Sequence, residues 1–368
     1  MNRAAWGFAV LAAAASPAAA QGAKLYVVNQ AGASLTVIDQ EKLTVDTTLD
    51  LTKMGFTANA KPHHVTVEPD GSFWYVTLIG DGKVLKLDRG NHVVGQVSMV
   101  TPGLIMLDPT HDSLYVGRSM TAPNPPRSLG VITRKDFKLV DEQEIQIPRP
   151  HALVTSRDGK WVFAGSLGEN RFVAVETATG HVTLNPLPGD AFRSLVQFTV
   201  SPDGKWMVAG GEQSNTIMVF DLTKPPPLVP VKEFPVPAQT PEVGSKPWDP
   251  VFSNDGKFAY FSLFADSAVV EVDLATAKVT RRLGQGLANP YDVILRHDGK
   301  YLFVVNQNLG TPSKPGESAH ANMPGMASMP APKPANGWLS VIDVKSGKVV
   351  KTLPLGLQPS GMGAAGAR

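Results

Sequence analysis

KPHHVTVEPDGSFWYVTLIGDGKVLKLDR, residues 61–89, decides the fold. Val65 and Val67 alternate with Thr66 and Glu68, the period of a strand with one buried face. Pro69-Asp70-Gly71 then turns the chain: Pro presets φ, Asp caps its own turn and Gly takes the positive-φ position. Phe73 to Leu78 is a second strand, rich in aromatic and β-branched residues. Gly80-Asp81-Gly82 turns into Lys83–Leu87, and Asp88-Arg89-Gly90-Asn91 turns into a fourth strand, His92 to Val97. Four short strands in about forty residues make one antiparallel meander.

The unit recurs. Its first-turn aspartate returns at Asp112, Asp158, Asp203, Asp255 and Asp298, roughly every 45 residues, a spacing that predicts propeller blades. The second strand repeats as LYVVN from Leu25, LYVGRS from Leu114, WVFAGS from Trp161, WMVAGG from Trp206, FAYFSL from Phe258 and YLFVVN from Tyr301. The third strand often ends in a hydrophobic–Asp pair, as at Ile38-Asp39, Phe220-Asp221 and Ile342-Asp343. Seven copies result. The first lacks an inner strand, and Pro359 to Ala365 reads as an inner strand with nothing after it. Pairing both ends in one blade closes the ring and removes open edges. A linear solenoid would instead want polar capping repeats, and none is visible. The expected fold is therefore all-β: a seven-bladed β-propeller of four-stranded antiparallel blades.

The chain has 368 residues, 43% hydrophobic and 18% charged, the balance of a folded globular protein. It has no Cys, which excludes disulfides, zinc–thiolate sites, a Cys nucleophile and CxxCH haem attachment. Net charge is +2, and the basic residues are scattered, so no nucleic-acid footprint appears. Arg3, the apolar run Ala4–Ala15 and Ala18-Ala19-Ala20 before Gln21 read as a cleaved secretory signal over residues 1–20. Residues 21–368 are then one domain, expected in a bacterial periplasm or secreted. No later stretch is long and apolar enough to span a bilayer.

The unit PxxVxxxPDGxxxYVxN…VxVID…GKVV resembles the YVTN repeat, and residues 24–368 are similar to YncE-like bacterial seven-bladed propellers. The resemblance implies the fold and leaves the activity open. Neighbouring families include lactonase-type enzymes, with a hydrolytic site in the channel, and the haem d1 domain of nitrite reductase.

Inner strands of a propeller run the same way along the channel, so equivalent residues ring one mouth. Their starts read Pro62-His63-His64, Pro102-Gly103-Leu104, Pro150-His151-Ala152, Phe192-Arg193-Ser194, Pro247-Trp248-Asp249, Pro290-Tyr291-Asp292 and Pro359-Ser360-Gly361. Imidazoles, carboxylates, a guanidinium and aromatic walls at His63, His64, His151, Arg193, Trp248, Asp249, Tyr291 and Asp292 suit a concave binding site. Polar residues at a wet mouth equally arise as backbone-bonding groups. Adjacent strand residues face opposite ways, so one of His63 and His64 is expected in the channel.

A second candidate is the Pro-rich insertion at 309–337, within the seventh copy. His320, Met323, Met326 and Met329 lie three apart, and thioethers with imidazole select Cu(I). The competing reading is a Pro/Ala/Met linker. No GxSxG, HExxH, P-loop or GxGxxG motif is present, and no catalytic residue is assigned. These features together lead to an expected non-enzymatic, exported binding protein, with copper as its possible metal. The alternatives are an enzyme or cofactor carrier using the channel mouth, lactonase-like or haem d1-like, and a protein–protein scaffold. A small ligand or periplasmic protein is the expected partner, and the protein is expected to be a monomer.

Overall fold

The computed structural model describes residues 23–119, 125–309 and 335–365. Its strands form seven four-stranded antiparallel sheets. Blades are numbered from the N-terminus. Blade 1 is built from Lys24–Asn29, Ser34–Asp39 and Thr44–Asp50, and its inner strand is the C-terminal Pro359–Ala364. The ring closes as expected, with Tyr26 opposite Gly363 and Asn29 opposite Pro359. The inner strands of blades 2 to 7 are Pro62–Val67, Pro102–Leu107, Pro150–Thr155, Leu195–Val200, Pro247–Phe252 and Pro290–Leu295.

The core lies between blades. Trp74, Leu85 and Leu87 of blade 2 pack on Tyr26, Leu35 and Val37 of blade 1, with Tyr26 and Trp74 stacked at 4.2 Å. Middle strands bury both faces, which explains their continuous apolar runs. Outer strands alternate, as in Lys278–Leu283, and leave one face wet.

Two backbone features repeat in every blade. The residue before each inner strand is left-handed: Lys61, Thr101, Arg149, Ser194, Lys246, Asn289 and Gln358 have φ between 45° and 55°. None is Gly, so each accepts a conformational cost that the blade overrides. The inner strand then slips register after its first residue, as between Pro62 and Val65 or Pro247 and Pro250. Two inner-strand residues therefore oppose one on the second strand, a bulge that aims side chains into the channel mouth. The opposing residue is mostly small: Thr77, Gly117, Gly165, Gly210 and Ser262.

Of the insertion at 309–337, residues 310–334 lie outside the described residues, and a strand runs from Asn336 to Asp343. Residues 1–20, and His320, Met323, Met326 and Met329, lie outside the described residues.

Candidate active site at the channel mouth

The bulge residues of all seven blades surround a cavity of about 20 Å³, lined by His64, Leu104, His151, Val196, Gln197, Trp248, Asp249, Tyr291, Asp292 and Gly361. That is room for about one water. Six of the eight residues expected at the mouth line it. His63 and Arg193 do not.

Arg193 corrects the reading of blade 5. Pro marks the first inner-strand position in six blades, but blade 5 has Leu195 there, and Leu195 pairs with Gly211 as Pro62 pairs with Leu78. The bulge residues are Val196 and Gln197, three positions beyond the expected Arg193-Ser194. Arg193 lies before the strand and grips Glu233 on the outer strand through Nε and Nη2, at 3.1 and 2.9 Å. Val196 and Gln197 line the cavity in place of the expected Arg193.

Of the adjacent histidines, His64 lines the cavity. His63 is 5% exposed, its ring lies 5.8 Å from that of His151, and neither of its nitrogens has a hydrogen-bond partner.

The second bulge residue takes up a backbone N–H of the next blade. Asp249 Oδ2 accepts from Val293 N at 3.0 Å, Asp292 Oδ2 from Met362 N at 2.5 Å, and His64 Nδ1 from Ile105 N at 3.4 Å. Gln197 Oε1 accepts from Leu153 N and Phe198 N, which leaves its amide NH₂ as the free donor. Thr77 and Ser262 satisfy the groups that the bulge frees. Each hydroxyl accepts the N–H of its own blade's bulge residue and donates to a carbonyl of the next blade, Gly103 or Tyr291.

These bonds fix protonation. His151 Nδ1 lies 2.7 Å from Val196 O, and a carbonyl only accepts, so Nδ1 carries the proton and Nε2 the lone pair. Burial, above all, holds His151 and His64 down at about 4, and pushes His63 well below its ordinary value with help from His151. All three imidazoles are neutral at pH 7. Burial raises the Asp249 carboxyl well above the usual range, and the neighbouring Asp292, also raised by burial, adds to the effect. Two carboxyls in contact away from water share one proton. Burial likewise raises the Tyr291 phenol, so it stays a donor. Trp248, stacked on Phe264 at 4.7 Å, packs with Leu167 and Val196 as an apolar wall beside the cavity. Among the described residues, no group of three or more His, Asp or Glu side chains is placed to hold a metal ion.

The cavity thus presents a shared carboxyl proton, neutral imidazoles, and amide and phenol donors around space for one water. That equipment suits hydrolysis at a carbonyl. The chain belongs to the family described as lactonase, 7-bladed beta-propeller, which it matches over residues 19–311. The probable 6-phosphogluconolactonase of Arthroderma benhamiae is 25% identical over 192 residues, 44% of this chain and 47% of that protein. The chain therefore spans about half the length of this curated relative. The periplasmic gluconolactonase of Pseudomonas aeruginosa has a similar structure, with TM-score 0.70, 18% identity and coverage of 93% of this chain and 98% of that one. A putative 6-phosphogluconolactonase from Bacteroides uniformis has TM-score 0.67 and 16% identity over 94% and 100% of the two chains. At these identities the structural likeness is one of fold.

Family membership overturns the expected non-enzymatic binding protein: the family and its named relatives are lactonases, and the enzyme alternative is the one they favour. Each blade contributes only one or two residues, so no contiguous signature exists.

Proposed function

We propose that this protein hydrolyses lactones at its channel mouth. The observation that carries the reading is the proton-sharing pair Asp249–Asp292 beside a one-water cavity, in a chain of a lactonase family. Water in the cavity attacks the lactone carbonyl and passes a proton to the lone pair on His151 Nε2. Tyr291 O–H and the Gln197 amide donate to the developing oxyanion. The bond between the acyl carbon and the ring oxygen breaks, and the carboxyl pair gives its proton to the departing alkoxide. The product is the open hydroxy acid. The pair regains its proton from His151 through solvent, which balances the cycle.

Acid release from glucono-δ-lactone tests this. His151→Gln keeps a donor to Val196 O but has no basic lone pair, so kcat is expected to fall about 100-fold or more with the fold intact by circular dichroism. Unchanged kcat would remove His151 from the mechanism. The likeness to YVTN-repeat propellers and a periplasmic location belong to this proposal too. Cell fractionation with N-terminal sequencing tests the latter, and a mature start at Gln21 is expected.

A further inference from the structure

The charges around the mouth bear on which lactones the site accepts. Four guanidiniums near this end already sit against carboxylates. Arg193 is held at two points by Glu233, Arg282 pairs with Asp266 at 3.0 Å, and Arg118 pairs with Glu142 at 2.8 Å. The Arg149 charge is supported by the buried Glu212. Lys61, half-buried before the inner strand of blade 2, forms no ion pair among the described residues. One flexible ammonium offers a phosphate a point charge where a free guanidinium fork would offer two directed bonds. The carboxyl pair, which carries one negative charge, lines the cavity itself.

We propose that the site takes uncharged lactones and discriminates against phosphorylated ones. The inference rests on the lactonase reading and narrows it. A phosphoryl group would meet neutralised arginines and an anionic pair in a poorly screened setting, so its binding is opposed. An uncharged hydroxylated ring meets no such field. It finds the free amide donor of Gln197 and the Trp248–Phe264 wall.

The test compares kcat/KM for glucono-δ-lactone and its 6-phosphate, using the full chain. A preference of about tenfold or more for the unphosphorylated lactone is expected. Raising salt from about 20 to about 500 mM should speed the phosphorylated substrate by screening the repulsion, with the neutral one unmoved. Glu233→Gln, which frees Arg193, should raise the rate on the phosphorylated lactone several-fold and leave the neutral one within about twofold. A preference for the phosphorylated lactone, or its slowing by salt, overturns the inference and leaves the lactonase reading standing. Hydrolysis of neither lactone overturns both.

Discussion

Gly361, in the inner strand that closes the ring, shows how tightly the site is specified. A Cβ there would stand 2.5 Å from His63 O and 2.9 Å from His64 Cα, backbone that cannot move aside. Gly361→Ala should therefore cost about 1–3 kcal/mol, read from denaturant midpoints, and disturb both histidines. Asp249→Asn makes the opposite kind of change. Its oxygen still accepts from Val293 N and its NH₂ replaces the shared proton toward Asp292, so folding should survive while the transferable proton is lost. Much at this scale was legible. His64, His151, Trp248, Asp249, Tyr291 and Asp292 could be found because Pro marked their register. Arg193 was misplaced because Leu195 stands where the Pro should be and the preceding loop hides the shift. Glu212, wholly buried and accepting from Ser194 Oγ at 3.0 Å, gave no signal, since its corner between strands matches nothing in the other blades.

At the scale of the strand, the bulge turns a repeat into a site. Without it, alternation would send one residue of each pair into a neighbouring blade. With it, the backbone groups it frees need partners, and Thr77 and Ser262 provide them. Ser262→Ala should strand Asp249 N and Tyr291 O, destabilise by about 1–3 kcal/mol and slow turnover by loosening the carboxyl pair. Unfolding curves and kcat measured on one preparation check this; a loss of stability with unchanged kcat would detach the bulge from catalysis. The small fifth residue in FWYVTL and FAYFSL was visible in the sequence. Its purpose was not, because the slip in register it accommodates leaves no trace in hydrophobic period.

For the whole molecule, the buried groups set how stability depends on pH. His64 and His151, at about 4 when folded, and His63 well below its ordinary value bind protons more readily when unfolded. Their contribution is complete above about pH 6.5 and is lost as pH falls toward 4, at roughly 1.4 kcal/mol per unit for each histidine. The carboxyl pair acts the other way. Its folded-state proton is retained above the unfolded range, so its contribution is present at low pH and lost as pH rises. Three histidines outweigh one shared proton, so stability should climb from pH 4 to about 6.5 and then decline gently. Urea midpoints across that range check the sign, and Asp249→Asn should abolish the decline. The propeller itself was legible throughout, down to the C-terminal strand that completes blade 1, because repetition states the same instruction seven times. Activity was not, because it depends on where the copies differ. The most direct measurement is acid release from glucono-δ-lactone at neutral pH by wild type and Asp249→Asn. Turnover by wild type, with kcat about 100-fold or more lower in the variant, is the predicted result. Equal rates in the two proteins, or no turnover in either, would contradict a hydrolytic site at the channel mouth.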